Sequence, residues 1–428
     1  MTRSRALAAL AAFAGFASFA VLSSTAVTSC APERRAPEWA LVRDLTPEAL
    51  VRVDAVEPSL AAAPDGRVAL TGVTRDSAGA DVWFAISSDS GEHFSAPQKL
   101  DTRAGKVSSY AESRPLVVLG PAGHVTVAWA SARDSGEYAD DLVSRSSDDG
   151  GRTFSPEAFL NDDHGNPRST YHGFLALDIT PAGSLIGAWI DGRASAGETE
   201  PARGEIWSST SDDGGHTWRP NTRVATDVCS CCRLALRADS LGHVAIAYRG
   251  ARADLRDPRL AVSGDGGATF ALDTLVSPDG WLLPACPSMG PAITIQRGGG
   301  GHYAWFTGAE NAVTQPGVYV VPWRAPAGAA GARRSLGDSL REPQRPMLSA
   351  MGAATLAGVI AHSRSDSTRR LLAGRALELD GAWTPWLFLG VGVRTAAIAG
   401  ATPRLAYAVW QEKSDERSHL RVVRLTRR

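Results

Sequence analysis

The sequence predicts an all-β chain, a β-propeller of four-stranded antiparallel blades, with seven blades favoured and six as the alternative count. Two observations carry this. The octapeptide pattern Ser-x-Asp-x-Gly-x-Thr-aromatic returns four times, and the same order of short alternating strands and tight turns recurs around each copy. Composition agrees: 43 Gly, 25 Pro and 12 Trp in 428 residues suit many short strands joined by turns. A closed ring of such units leaves no sheet edge exposed, so a chain of this length fits one long domain.

The octapeptides are Ser87 to Phe94, Ser147 to Phe154, Ser211 to Trp218 and Ser263 to Phe270, and only the first departs, with His93 in place of Thr. Their acids, Asp89, Asp149, Asp213 and Asp265, are 60, 64 and 52 residues apart. An Asp carboxylate can accept backbone N–H groups inside a turn, Gly supplies positive φ, and the aromatic packs the returning strand. Each copy should therefore close a hairpin.

One unit shows the order of elements. Pro115 to Leu119 precedes the turn Pro121-Ala122-Gly123, then come the strand His124 to Trp129, a charged loop, the strand Leu142 to Arg145, and the octapeptide. Equivalent units begin near Glu57, Tyr171, Cys232, Cys286, Arg345 and Thr395. The seventh has three evident strands, ending in Leu420 to Leu425. The unassigned strand Ala49 to Ala55 is expected to close the ring as its fourth.

These octapeptides resemble the Asp-box, or BNR, repeats of sialidases and related propellers, over roughly residues 50–428. The resemblance implies the fold more strongly than an activity, because the boxes are structural turns and a fold hosts many functions.

The N-terminus is an address. Arg3 and Arg5 precede an apolar or small-residue run from Ala6 to Leu22, followed by Val27-Thr28-Ser29-Cys30, which resembles a bacterial lipobox. Residues 1–29 are then a lipoprotein signal peptide, Cys30 the lipidated residue, 30–48 a tether and 49–428 the propeller. The expected location is outside the cytoplasm, anchored by lipid to the bacterial cell envelope. No later stretch is apolar and long enough to span a membrane, so a soluble body is expected. With 44 Lys+Arg against 45 Asp+Glu, the charge balance argues against nucleic acid as a partner, and a monomer is expected.

Strand order divides the loops between two faces. The Asp boxes join third to fourth strands, on the face opposite the starts of the inner strands. The latter face collects the second-to-third loops, which are charged: Arg75-Asp76, Arg133-Asp134 with Glu137 and Tyr138, Asp191 with Arg193, and Arg249 through Asp257. Aligning units on their first turns puts Arg114 and Arg233 at one position, and Arg345-Pro346 repeats Arg114-Pro115. These three arginines, with His172, Asp191 and Arg193, form the candidate ligand-binding set for a glycan or other anionic small molecule.

The sialidase resemblance implies an arginine triad on the substrate carboxylate, a Tyr nucleophile with a carboxylate partner, and an acid/base Asp. Tyr110, Tyr138, Tyr171 and Tyr248, with Glu112, Asp134 and Asp191, lie near the funnel face, and no spacing selects among them. Glu57-Pro58-Ser59-Leu60 stands where the family has a Phe/Tyr-Arg-Ile-Pro motif, so its first arginine is missing. Exo-sialidase-type hydrolysis is thus an alternative to binding, with the catalytic residues unassigned.

Cys229-Ser230-Cys231-Cys232 and Cys286 lead into neighbouring units on this face. Two disulfides are one reading, since an exported chain forms them readily. A thiolate site for Cu(I) or Zn²⁺, with His172 or Met289 assisting, is another. A redox-active pair is the third.

Overall fold

The computed structural model describes residues 39–51, 54–134, 139–166, 171–195, 204–296, 298–329, 331–362, 370–377, 382–414 and 417–427. Cys30, Glu137 and Tyr138 lie outside them, as does the signal segment. Seven antiparallel sheets of four or five strands form a seven-bladed β-propeller. Among the described residues no helix is long and apolar enough to cross a membrane.

Blade 1 runs through Ala55–Ala62, Val68–Asp76, Gly79–Ser87 and Gln98–Lys99. Blade 2 has Leu116–Leu119, Val125–Ala132, Asp140–Ser147 and Ala158–Phe159, with Val107–Ser108 also paired to its second strand. Blade 3 has His172–Ile179, Leu185–Asp191, Gly204–Ser211 and Thr222–Val228, and blade 4 has Ala235–Ala238, Val244–Arg249, Pro258–Ser263 and Leu272–Leu275. Blade 5 begins at Ala292–Ile293, blade 6 at Arg341–Met351 and blade 7 at Val393–Thr402. Second strands such as Val68–Asp76 and Leu185–Asp191 are almost wholly buried, and their apolar side chains fill the space between blades.

The ring closes with an N-terminal strand, but not the expected one. Trp39–Asp44 pairs antiparallel with Arg417–Arg427 as the fourth strand of blade 7, and the segment Ala49 to Ala55 is not that strand. Glu48–Val51 is a helical turn with Leu50 wholly buried, and Ala55 already opens the inner strand of blade 1. The reason is reach. The chain must cross from the outer to the inner edge of a four-stranded blade, three inter-strand spacings or about 14 Å. A closing strand that ended at Ala55 would leave no residues for that crossing.

The four boxes sit where expected, between third and fourth strands. In the second, Asp149 Oδ1 accepts the N–H groups of Arg152 and Thr153 at 2.9 Å each, and Ser147 Oγ accepts Gly151 N–H at 2.8 Å. Gly151 has φ +82°, and a Cβ there would lie 2.7 Å from the Phe84 ring of the preceding blade. The box is therefore both a turn and a blade-to-blade contact. Gly150 N–H donates to Gly123 O at 3.2 Å, which ties the box to the blade's first turn and places both on one face.

Candidate functional site

The opposite face is built from irregular starts of the inner strands. Register shifts interrupt pairing between Val56 and Ser59, Gly173 and Ala176, Gln344 and Met347, and Val393 and Thr395. Glu57, Phe174 and Arg345 take positive φ of 53°, 54° and 51°. Such bulges re-aim side chains that a regular strand would send into a sheet face. In blade 2 the departure is larger. Between Val107–Ser108 and Leu116–Leu119 the chain leaves the sheet and folds on itself through a Tyr110–Ser113 bridge, which carries Glu112 to the channel.

Glu112 is the hub of this face. Arg233 Nη1 of the chain leading into blade 4 donates to its Oε2 at 2.8 Å, and Arg345 Nη1 of blade 6 to its Oε1 at 3.1 Å. Gly290 N–H adds a contact to Oε2 at 3.2 Å. A Cβ at Gly290 would lie 2.2 Å from Arg233 O, so this approach of the chain requires glycine. Arg233 also donates to Pro346 O at 2.6 Å, and Arg114 to Ala396 O at 3.0 Å. Burial, reinforced by the charge of Arg233, lowers the Arg114 pKa to about 10. All three predicted arginines therefore come together in one pocket, two of them paired with Glu112. They border a cavity of about 20 Å³. A channel of about 160 Å³, lined by inner strands, adjoins Arg114, Arg233 and Glu112.

The other half of the predicted ligand set is committed elsewhere. His172 is wholly buried, with Nδ1 2.7 Å from Asp140 O, and Nε2 3.0 Å from Asp163 Oδ1 and 3.4 Å from Asp191 Oδ2. Burial alone would depress its pKa, but Asp163 and Asp191 push it up to about 9. Asp191 also accepts Trp189 Nε1–H at 2.8 Å and is paired with Arg193 at 2.9 Å. Arg193 in turn reaches Asp162 and Asn221 and lies 4.1 Å over the Trp207 ring. These residues clamp blade 2 to blade 3. His172 Nδ1 is bonded to Asp140 O and its Nε2 is ion-paired with Asp163 and Asp191, so its ring is committed to this clamp. Asp163 was not anticipated, because an Asp in a loop gives no sign of pairing with a buried histidine nine residues later.

The candidate tyrosines scatter. Tyr110 and Tyr171 meet, hydroxyl to hydroxyl, at 3.4 Å, and Tyr110 is 43% exposed. Burial pushes the Tyr110 phenol up to about 12. Among the described residues neither hydroxyl is hydrogen-bonded to a carboxylate. Tyr248 is buried and donates to Asp273 Oδ1 at 2.6 Å, and Asp134 pairs at the surface with Arg103 and Lys106. Arg249, from one of the charged second-to-third loops, is turned inward. It is 2% exposed and donates to the carbonyls of Met289 and Phe306 at 3.0 and 2.7 Å.

The four cysteines do gather. Cys231 and Cys286 form a disulfide, while Cys229 and Cys232 are free and buried, so the two-disulfide reading does not hold. Cys229 Sγ lies 3.3 Å from Cys232 Sγ and 3.6 Å from Cys231 Sγ. The three sulfurs lie within 4.8 Å of one another, spacing that one metal ion can span, although Cys231 is no thiolate while its disulfide persists. The cluster adjoins the arginines directly, since Arg233 follows Cys232 in sequence.

No family model matches the sequence, and no match to a curated protein was found. Solved structures do match. A protein of unknown function from Dyadobacter fermentans DSM 18053 is 14% identical with a TM-score of 0.55, over 91% of this chain and 99% of that one. An ulvan lyase bound to -[GlcA(1-4)Rha3S]- is 10% identical with a TM-score of 0.54, over 89% and 96%. Trypanosoma rangeli sialidase is 12% identical with a TM-score of 0.46, over 87% of this chain and 55% of that one. At these identities the likeness is one of fold: the chain is a seven-bladed β-propeller with a central channel.

Proposed function

We propose that this protein is a cell-envelope lipoprotein whose propeller binds an anionic small molecule or glycan at the mouth of its channel. The observation that carries the ligand reading is the meeting of Arg114, Arg233 and Arg345, drawn from three blades, in one pocket with Glu112, which Arg233 and Arg345 contact directly. Guanidinium groups held at a channel mouth favour a ligand carboxylate or sulfate, because their planar donors match such oxyanions. The ulvan lyase, of the same fold, was solved with a uronate- and sulfate-bearing glycan, which supports this choice of ligand class.

Binding is favoured over hydrolysis because, among the described residues, neither Tyr110 nor Tyr171 is hydrogen-bonded to the carboxylate partner a tyrosine nucleophile needs. A copper or zinc role would require Cys231 and Cys286 as thiolates. Calorimetric titration of the purified protein with sialyllactose and with glucuronic acid, against neutral lactose, tests the proposal. Saturable binding of an acidic sugar alone is expected; equal responses to acidic and neutral sugars, or none to either, would refute it. Lipid attachment is tested by intact mass, which should show a diacylglyceryl group on Cys30 that is lost in Cys30→Ala.

A further inference from the structure

The sulfur cluster holds an arrangement that ligand binding does not use. A buried dithiol, Cys229 with Cys232, stands against a disulfide whose inner sulfur belongs to Cys231 and whose outer one belongs to the exposed residue Cys286. A structural staple does not need two further thiols in contact with it. The surroundings also favour an anionic sulfur at Cys229. Its backbone N–H is tied to Arg249 O at 2.9 Å, and the buried Arg249 guanidinium is fixed by the carbonyls of Met289 and Phe306 and lies 4.9 Å over the Trp281 ring. The Cys232 S–H beside it, the Cys231 N–H and the charges of Arg249 and Arg256 outweigh burial and bring the Cys229 thiol down to about 6. Burial holds Cys232 in the protonated form, well above its ordinary value. One thiolate and one thiol of a Cys-x-x-Cys pair are the nucleophile and the resolving group that exchange chemistry needs.

We propose that these four cysteines form a thiol–disulfide exchange centre that passes the reducing equivalents of Cys229 and Cys232 to a disulfide substrate at Cys286. The Cys229 thiolate attacks Cys231 Sγ across 3.6 Å, the Cys229–Cys231 bond forms, and Cys286 leaves as a thiolate. Cys232 loses its proton to solvent and attacks Cys229 Sγ; the Cys229–Cys232 bond forms and Cys231 leaves as a thiolate. One S–S bond breaks as each forms, so neither step needs an external oxidant. The exposed Cys286 thiolate then attacks a small-molecule or protein disulfide and releases one of its thiolates. Cys231 displaces the other and restores the Cys231–Cys286 bond. Overall the Cys229/Cys232 pair is oxidised and one external disulfide is reduced to two thiols, which take up two protons.

The test is native alkylation of the unreduced, folded full chain with iodoacetamide near pH 7.5, followed by disulfide mapping by mass spectrometry, with metal content measured on the same sample. Time-dependent labelling of Cys286 accompanied by a Cys229–Cys232 linkage is expected. Cys229→Ser should slow that labelling at least tenfold, while Cys232→Ser should leave it intact and accumulate Cys229–Cys231. Circular dichroism reports whether each variant is folded, and the linkage found in Cys232→Ser decides should Cys229→Ser not fold. The proposal is overturned if Cys286 stays unlabelled until the protein is denatured and reduced, or if Cys229→Ser labels as fast as the parent. It is overturned equally if the purified protein carries near-stoichiometric copper or zinc on four reduced cysteines.

Discussion

Glu112 and Arg233 meet across the funnel at 2.8 Å although 121 residues separate them, with the whole of blade 3 between them in sequence. The carboxylate is 3% exposed and the guanidinium 18%. Removing the carboxylate would leave Arg233 and Arg345 facing each other with no anion between them. A pair this enclosed costs about 3 to 5 kcal/mol when one partner is deleted. Glu112→Gln should therefore lower unfolding stability by roughly 3 kcal/mol in a urea titration. No change beyond experimental error would mean that solvent compensates the arginines and that Glu112 is not their structural partner.

His172 makes stability depend on alkaline pH. Its folded pKa of about 9 lies above the ordinary histidine value, so the imidazolium's pairing with Asp163 and Asp191 contributes fully below about pH 6.5. The contribution is lost progressively as pH rises from there through 9, and is on the order of 3 kcal/mol in total. Urea midpoints measured from pH 6 to pH 10 should fall in the parent and fall less in His172→Gln. Parallel curves would show that this clamp does not titrate.

The Asp boxes predict local, additive losses. Asp213 accepts the Thr217 N–H at 3.0 Å and the Ser211 hydroxyl at 2.8 Å, and together with the Thr217 hydroxyl these outweigh the effect of burial to lower its pKa to about 2. Asp213→Ala should cost about 1 to 2 kcal/mol, since the donors it abandons can turn to water. An equal loss in an Asp213→Ala, Asp265→Ala pair taken together as in the two singles summed would confirm independent turns; strong coupling would contradict it.

The boxes were legible in the sequence because the Ser and Asp side-chain bonds that close each turn lie within five residues. Box, turn and strand order together gave seven blades. What escaped was whatever depends on distance in the chain. The closing strand was misplaced because Ala49 to Ala55 ends in the alternation Val51-Arg52-Val53-Asp54-Ala55, whereas Trp39 to Asp44 is an apolar run followed by two charges, and only the span across a blade selects the latter. The convergence of Arg114, Arg233 and Arg345 followed from strand order, but the carboxylate they surround did not, because Glu112 reaches the channel through an excursion between two inner-strand segments. His172, Asp191 and Arg193 were assigned to the right face, yet their burial against Asp163 and Trp207 is a tertiary fact. Which sulfur joins Cys286 was likewise beyond sequence, since Cys229, Cys231 and Cys232 are interchangeable on paper.

Exchange at the cysteines should follow the ionisation of Cys229. With its pKa near 6, the thiolate fraction is nearly complete above pH 7 and falls about tenfold for each pH unit below 5. The native rate of Cys286 labelling, corrected for the reagent's own reaction with Cys286 thiolate, should show that plateau and decline. A rate still climbing through pH 9 would identify an ordinary thiol as the attacking group.

The channel mouth is tested most directly by titrating the parent and Arg233→Ala with sialyllactose and glucuronic acid in a calorimeter at low and moderate salt. An acidic sugar should bind the parent, weaken as salt rises, and lose at least tenfold in affinity in Arg233→Ala, with neutral lactose silent throughout. Binding that is indifferent to Arg233 and to salt, or that neutral lactose reproduces, would contradict an anion-recognising mouth built from Arg114, Arg233 and Arg345.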